Sequence, residues 1–536
     1  MKQNKKIQWL LSIPLLLPST ILLTNCAYND QTNNNNNNGN NNNSENIKPP
    51  VISDKLSKIK INTKNGDSSF ATERKDIFVG ENYNTFSKPS FEYQQSTITL
   101  EDENNNKVIA NLDAQVKVRG NTTTLYDKKP FRIKFNEKQT MFGLNSNYAS
   151  KDWVLLADWL DCSMLRNNVG FYLGHLLYKP IGEYSSDFMN VELYINDQYW
   201  GIYLLCEQNE VSKGRVNINK PEENYTSTDI GYLVEYDTYA NFEKELEKFQ
   251  LNYNNKAELT INATDVNKKT VTFKVDEYAI KSKVYSQDQK NTIQNYLDNI
   301  YKICYEALIN KKYFEFNTDR TNIVESKTIL DAYTAVSNVV DIDSTVAMII
   351  LQEIVFDYDV DNSSFYMYVD LSQNGDKKLH FTAPWDFDNA LGNRNDYGKK
   401  IFADKLYAVN SDNPWVVLLY KLEKIQNQIK QRWLKFNSDS SKDKIFNLID
   451  EYMTKYVEYY KQNYDKWGNI GQNIVKEYDK LSEEDKKNPN IDGNWGTLRY
   501  NNEPGGTIDV ETQSGAADYL KTWLKTRFDV LDKAWL

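Results

Sequence analysis

The chain has 536 residues, of which 40% are apolar and 26% are charged, a composition typical of one large or two ordinary globular domains. Its formal net charge of −10 argues against a nucleic-acid partner, because phosphate backbones are bound by basic surfaces. The two histidines and four cysteines lack the spacing of a zinc site or a disulfide framework, so neither is expected.

The first 26 residues have the pattern of a bacterial export signal. Three lysines precede an apolar segment over residues 7–23, and two prolines interrupt it, which argues against a stable membrane span. The segment ends in Leu23-Thr24-Asn25-Cys26, which is similar to the lipobox whose cysteine is lipidated. We expect a lipoprotein signal peptide over residues 1–26, lipidation of Cys26, and a position on the outer face of the cytoplasmic membrane or on the cell surface. The alternative is an uncleaved anchor with a chance cysteine.

The segments that follow differ in composition. Residues 27–55 are dominated by asparagine and have almost nothing apolar to bury, which predicts a disordered tether. Residues 56–110 alternate short β-type runs with polar turns, which predicts a small β-rich subdomain. Its strands are expected at residues 59–61, 76–79, 96–100 and 107–110. The remainder, 111–536, is expected to form one larger domain.

A basic segment begins at Arg119. The loop after it holds Gly120, an asparagine and three threonines, and the strand pattern over residues 131–135 places Arg132 and Lys134 on one face. Backbone N–H groups from such a loop and cations from such a strand favour phosphate binding. The same pattern also fits a solvated basic strand face beside a polar turn.

The middle of the chain contains a predicted hairpin and a predicted insertion. Apolar runs at 191–195 and 200–205, separated by a polar turn, predict the hairpin. Glu207 closes the second run, and it either pairs with a cleft cation such as Lys129 or Lys134 or faces water at a strand end. Residues 240–285 are polar and rich in lysine and contain short β-like pieces, which indicates an insertion or excursion.

The second half of the chain changes to a helical period. Apolar spacing predicts helices near residues 293–308, 343–354, 415–433, 445–464 and 516–535. Because strands come first and helices later, the predicted fold class is α+β in a two-lobed arrangement.

Two acidic centres flank a second predicted hairpin. The first centre covers residues 357–364 and the second covers residues 385–388, and the strand-type runs 365–369 and 379–383 lie between them. If the hairpin closes, both centres face one cleft, as a site for metal and phosphate requires. The pattern alone also fits a calcium site, a glycosidase-like carboxylate pair or a surface turn.

Six motifs, taken in order, resemble the CotH kinase family, which is named for spore coat protein H. They are Arg119-Gly120-Asn121, Lys128 to Lys134, Asp161 with Leu165-Arg166-Asn167, residues 193–207, Asp359 with residues 364–368, and Pro384 to Asp388 with Gly392. The order and spacing agree from about Lys107 to the end of the chain.

The resemblance implies an atypical bilobal protein-kinase-like fold with a β-rich N-terminal part and a helical C-terminal part. It also implies an enzyme that uses ATP and Mg²⁺, or Mn²⁺, to phosphorylate Ser or Thr of extracytoplasmic or surface proteins. Asp359 looks like the catalytic aspartate that accepts the substrate's proton, and Asp386 looks like the metal aspartate. The other candidate metal ligands are Asp388, Ser364 and Asn362. The candidate nucleotide- or phosphate-binding residues are Arg119, Lys129, Lys134 and Glu207.

The sequence departs from the family pattern near Asp359. Many relatives have Asn where this chain has Asp357. Some relatives have Asn where this chain has Ser364, and serine is a weaker metal ligand than asparagine. Asn362 or Asp361 is then an alternative oxygen donor. These departures keep a second class of function open, which is a catalytically weak or inactive kinase-like module for surface adhesion or scaffolding.

Overall fold

The structure is a computed structural model that describes residues 50, 52–73, 90–252, 261–264, 270–273, 277–393, 405–469 and 512–536. The expected signal peptide, most of the expected tether and the expected strand at 76–79 lie outside these residues. All of the described residues belong to one compact unit, Asn46–Leu536. No helix in its described part is both long and apolar enough to cross a membrane.

Seven strands form a closed barrel in the first part of the chain. They are β1 (Ser57–Thr63), β2 (Gln94–Glu101), β3 (Lys107–Val118), β4 (Phe131–Gln139), β5 (Ser150–Leu156), β6 (Phe188–Ile195) and β7 (Gln198–Glu207). Their order is β1-β2-β3-β4-β5-β7-β6, and the parallel pairing of β1 with β6 closes the barrel. Phe131, Ile133 and Phe135 alternate into its core, as the sequence predicts.

Three of the four strands expected in a separate subdomain belong to this barrel, and the fourth, at 76–79, lies outside the described residues. β1 and β2 lie within residues 56–110, and the expected boundary at 110 falls inside β3. β1 pairs with β2 on one side and with β6 on the other. A small isolated sheet has little core of its own, whereas barrel closure pairs both edges and buries one face.

A second sheet lies later in the chain. Its five strands are β8 (Gly231–Tyr236), β9 (Lys248–Gln250), β12 (Glu277–Ile280), β15 (Phe365–Asp370) and β16 (His380–Phe381). The order is β16-β15-β8-β12-β9. Two small sheets pair β10 (Ile261–Thr264) with β11 (Thr270–Phe273), and β13 (Phe314–Phe316) with β14 (Ile323–Glu325). The region expected as an insertion, 240–285, therefore contributes two strands to the five-stranded sheet.

Helices cover the second sheet and fill much of the later chain. Those in the described residues are α1 (Leu144–Asn147), α2 (Arg166–Leu177), α3 (Gln287–Tyr305), α4 (Ala332–Ser337), α5 (Ile342–Val355), α6 (Pro414–Leu419), α7 (Glu423–Ser438), α8 (Ser441–Trp467) and α9 (Gln513–Trp535). The expected single helix over 415–433 is instead α6 and α7. Asn413 caps α6 by accepting from the N–H groups of Trp415 and Val416.

Helix α5 and the hairpin after it position the acidic segments. Asp341 caps α5 by accepting from the Ser344 N–H at 2.7 Å, and the helix ends at Phe356 in a left-handed conformation with φ of 49°. The chain then enters a 3₁₀ turn, Tyr358–Asp361, before β15. β15 pairs antiparallel with β16, which confirms the predicted hairpin. The fold is therefore a mixed α+β structure.

Candidate functional site

A cleft of about 980 Å³ lies between the barrel and the second sheet. Its walls come from the β3–β4 loop, the chain after β5, the ends of β8 and β12, and both acidic segments. The carboxylates that line it are Asp158, Glu235, Asp237, Glu243, Asp359, Asp386 and Asp388. The cations that line it are Lys117, Arg119, Lys128, Arg132 and Lys281. The cleft therefore brings opposite charges together, as a site for phosphate and a metal requires.

Asp359 lies on the 3₁₀ turn after α5 and is only partly buried. Its backbone N–H donates to the Asp357 carboxylate at 2.9 Å, which caps the turn. The Asn389 amide donates to Asp359 Oδ2 at 3.3 Å. Asp359 thus presents a carboxylate to the cleft from a turn that its neighbours hold.

Asp386 and Ser364 meet across the cleft floor. The Ser364 hydroxyl donates to Asp386 Oδ2 at 3.1 Å, and the Ser364 N–H donates to Glu235 at 3.2 Å. Both residues have left-handed backbone conformations, with φ of 61° at Ser364 and 70° at Asp386. Such conformations cost about 1–3 kcal/mol each at residues other than glycine, and they cluster at functional sites.

Burial and mutual repulsion raise the pKa of the metal-candidate carboxylates. The pKa of Asp386 is raised to about 6 by burial and by the charge of Asp359, and Arg119 opposes the shift. The pKa of Asp388 is raised well above its usual value by burial, by Asp386 and by Asp158. A bound cation would favour the charged forms of these carboxylates.

The oxygen atoms around Asp386 suit Mg²⁺ that keeps water and phosphate ligands, and they do not form a complete set of protein ligands by themselves. No group of three or more His, Cys, Asp or Glu side chains that could hold a metal is found among the residues that the structure describes. Asp386, Asp388, Ser364 and Asn362 all line the cleft, which offers two carboxylates and two neutral oxygens. Mg²⁺ in phosphate-binding enzymes commonly uses one or two carboxylates and takes its other ligands from water and phosphate.

The predicted phosphate loop also lies in the cleft. Arg119 stacks over the Trp385 ring, 5.5 Å from its centre, and Gly120, Asn121 and Thr123 line the adjacent wall. Gly120 has φ of 102°, a conformation that favours glycine. The loop and the second acidic segment are therefore in contact through Arg119.

Three predicted phosphate-binding residues do not line the cleft. Lys129 is buried and donates to the carbonyl oxygens of Thr124 and Tyr126, at 2.7 and 2.8 Å. Lys134 is exposed on β4. Neither lysine is the partner of Glu207, which is buried and pairs with Arg215 at 3.1 Å. Glu207 pairs with a residue beyond its own strand, in a segment to which the sequence analysis assigned no role.

The cleft also contains cations that the sequence analysis missed. Lys128 lines the cleft but is almost fully buried, and it donates to the carbonyl oxygens of Ala157 and Ile202. Burial lowers its pKa to about 7, and the charge of Asp158 opposes the shift. Lys128 precedes β4, so strand alternation could not separate it from Lys129.

A second missed cation, Lys281, follows β12. It forms ion pairs with Glu235 at 2.8 Å and with Glu243 at 3.5 Å. Lys281 lies within residues 240–285, so the region expected to be an insertion forms part of the cleft wall.

One comparison with known proteins identifies a family. Residues 116–531 match the model of a protein family described as CotH kinase protein. A comparison with curated proteins found none that matches the chain. The family match includes the end of β3 and extends into α9, so it covers the acidic hairpin and the phosphate loop.

Proposed function

The chain belongs to the CotH kinase family, and on this premise we propose that it is an ATP- and Mg²⁺-dependent protein kinase acting on Ser or Thr. Its substrates would be extracytoplasmic or surface proteins. The observation that carries the proposal is the cleft itself, where Asp359 and Asp386 lie with Arg119 and Lys128. Phosphoryl transfer depends mainly on positioning and charge neutralisation, which such a set of side chains supplies.

In this proposal Asp359 is the catalytic base. It accepts the proton of the Ser or Thr hydroxyl while that oxygen bonds to the γ-phosphorus and the bond to the ADP oxygen breaks. Its partial exposure suits contact with an incoming hydroxyl. The amide of Asn389 orients the carboxylate through the hydrogen bond to Oδ2.

Asp386 and Asp388 are the proposed carboxylate ligands of Mg²⁺ or Mn²⁺, with Ser364 and Asn362 as neutral donors. The metal would neutralise charge on the phosphates of ATP. The repulsion that raises the pKa of both carboxylates supports this assignment, because a divalent cation relieves it.

The barrel and the second sheet are proposed to be the two lobes of a kinase-like fold, with the nucleotide between them. Arg119, Lys128 and the loop from Gly120 to Thr123 would contact phosphate oxygens. Lys129 then supports this loop from behind, because its two acceptors, Thr124 and Tyr126, belong to the same segment. The signal at the N-terminus supports a lipid anchor at Cys26, which would hold the cleft outside the cell membrane.

Transfer of labelled γ-phosphate by the purified full chain tests the proposed function. We expect incorporation into the protein itself or into a casein-like acceptor with Mg²⁺ or Mn²⁺, and none with EDTA. Absence of incorporation with either metal, together with no thermal shift on adding ATP, would contradict the proposal. A thermal shift without transfer would instead support the alternative of an inactive kinase-like module.

A further inference from the structure

The turn that carries both proposed metal carboxylates is held by one carboxamide. Asn167 lies in the first turn of α2 and is 3% exposed. Its Oδ1 accepts from the Phe387 N–H at 2.9 Å, and Phe387 lies between Asp386 and Asp388. Its Nδ2 donates to Asp158 Oδ1 at 2.7 Å. Asn167 thus links the end of β5 to the backbone of the acidic turn.

The same helix fixes the side-chain face of the turn. The Phe387 ring packs edge-on against Phe171 with 5.8 Å between ring centres. A Cβ at Gly170 would lie 2.1 Å from the Phe387 ring, so the backbone of α2 approaches this ring directly. Helix α2 therefore contacts both the ring and the backbone N–H of Phe387. The residue before it, Asp386, has a left-handed backbone conformation.

Two neighbours hold the carboxamide in one orientation. The Phe387 N–H can only donate, so the oxygen of Asn167 faces it, and the NH₂ group of Asn167 then faces Asp158 Oδ1. This orientation is the one that satisfies both neighbours. Asp158 also lines the cleft, where it is buried and only 7% exposed.

We propose that Asn167 is a positioning residue for the divalent-cation carboxylates Asp386 and Asp388, and that Asp158 anchors its NH₂ group. The inference rests on the proposed function, which supplies the cation. Asn167 and Asp158 would not touch the cation. They would act through hydrogen bonds that orient the residues holding it, as hydrogen bonds behind metal ligands commonly do.

Mn²⁺ binding to the full chain, followed by electron paramagnetic resonance without ATP turnover, tests this role. Asn167→Asp removes the donor to Asp158 and should weaken Mn²⁺ binding about tenfold or more. The double variant Asp158→Asn with Asn167→Asp exchanges donor and acceptor, while the carboxylate at 167 still accepts from Phe387. It should regain most of the lost affinity, because both hydrogen bonds of residue 167 are restored with donor and acceptor exchanged toward residue 158.

The matched control is Asn168→Asp, the same change at the next buried position of α2. Asn168 donates to Asn190 at 2.8 Å rather than to the acidic turn, so Mn²⁺ affinity should be unchanged. A double variant that binds no better than Asn167→Asp would overturn the inference, and so would a single variant that binds like the parent. A parent protein that binds no Mn²⁺, with or without ATP, would overturn the proposed function and the inference together.

Hydrogen exchange in metal-free protein provides a readout that is independent of the cation. Asn167→Leu removes the acceptor of the Phe387 N–H, so that amide should exchange at least several-fold faster. Asn168→Leu should leave its exchange rate unchanged. Equal exchange at Phe387 in the parent and in Asn167→Leu would contradict the positioning role, even where Asn167→Asp failed to fold.

Discussion

Lys128 and Lys129 are adjacent and equally buried, yet they differ in what they can reach. Each is 1% exposed and donates to two backbone carbonyl oxygens. Lys128 lines the cleft, whereas Lys129 does not. The pair therefore offers a matched test of which lysine contacts ATP.

Both Lys128→Met and Lys129→Met should lower the unfolding temperature, because each leaves two buried carbonyl groups without that donor. Lys128→Met alone should also raise the KM for ATP, by about tenfold or more, since charged hydrogen bonds are worth about 1.5–3 kcal/mol. Thermal unfolding and steady-state kinetics measure the two effects. An equal KM increase in both variants would contradict the assignment of Lys128.

At the residue scale, the motifs contain residues that line the cleft and residues that do not, because Lys129, Lys134 and Glu207 lie in motifs but outside the cleft lining. Asp359, Asp386 and Arg119 all line one cleft, as their motifs indicate. Lys128 and Lys129 could not be ranked, because they precede β4 and strand alternation does not apply to them. Asp158 follows a buried strand and has no motif of its own, so only the fold places it near Asp388.

At the element scale, the hairpin of β15 and β16 carries a mostly buried histidine whose ring lies between two carboxylates. His380 contacts Glu183 at 2.9 Å and Asp376 at 2.8 Å, and its ring stacks on Tyr368. Burial lowers its pKa, but the hydrogen bonds to Asp376 and Glu183 outweigh this and raise the pKa to about 9. The protonated ring thereby joins the hairpin to the segment before β6.

This raised pKa gives a signed pH dependence. The stabilisation is fully present below the unfolded pKa of about 6.5 and is lost as the pH rises through about 9. The loss is at most about 3.5 kcal/mol, because each pKa unit corresponds to about 1.4 kcal/mol. Urea unfolding at about pH 6 and pH 10 should show a smaller decrease in His380→Gln than in the parent. An equal decrease in both proteins would contradict the role of His380.

The prediction of elements was best where a local pattern had one reading. The apolar runs of β6 with β7, the strand-type runs of β15 with β16, and the apolar length of α5 all appear in the structure. β9 and β12 have only three and four residues, so the sequence indicated short β-like pieces there but not their place in the five-stranded sheet. The break between α6 and α7 interrupts an amphipathic stretch without a glycine or an internal proline, so the sequence predicted one helix.

At the scale of the whole molecule, barrel closure was beyond local reasoning. β1 and β6 are far apart in sequence, and no sequence motif predicts their parallel pairing. A chain that begins at residue 111 would lack β1, β2 and part of β3, so we expect it not to fold. A chain that begins at residue 52 should fold, because it retains all seven strands. Circular dichroism and thermal unfolding of both chains would measure this, and a cooperative transition in the shorter chain would contradict it.

The lipid anchor is a prediction at the same scale. Cys26→Ser should move the protein from the membrane fraction to the soluble fraction, since it removes the proposed lipidation site. Fractionation and immunoblotting measure the distribution. Full membrane retention of this variant would contradict lipidation and favour the uncleaved-anchor alternative.

The two ends of the acidic hairpin have different proposed tasks, and a comparison of Asp359→Asn with Asp386→Asn tests this division most directly. MgATP binding by calorimetry and γ-phosphate transfer are measured on both variants and on the parent. Asp359→Asn should bind MgATP like the parent and lose transfer by about 100-fold or more, because it lacks only the base. Asp386→Asn should lose both, because it lacks a metal ligand. Unchanged MgATP binding in Asp386→Asn, or undiminished transfer in Asp359→Asn, would contradict the account.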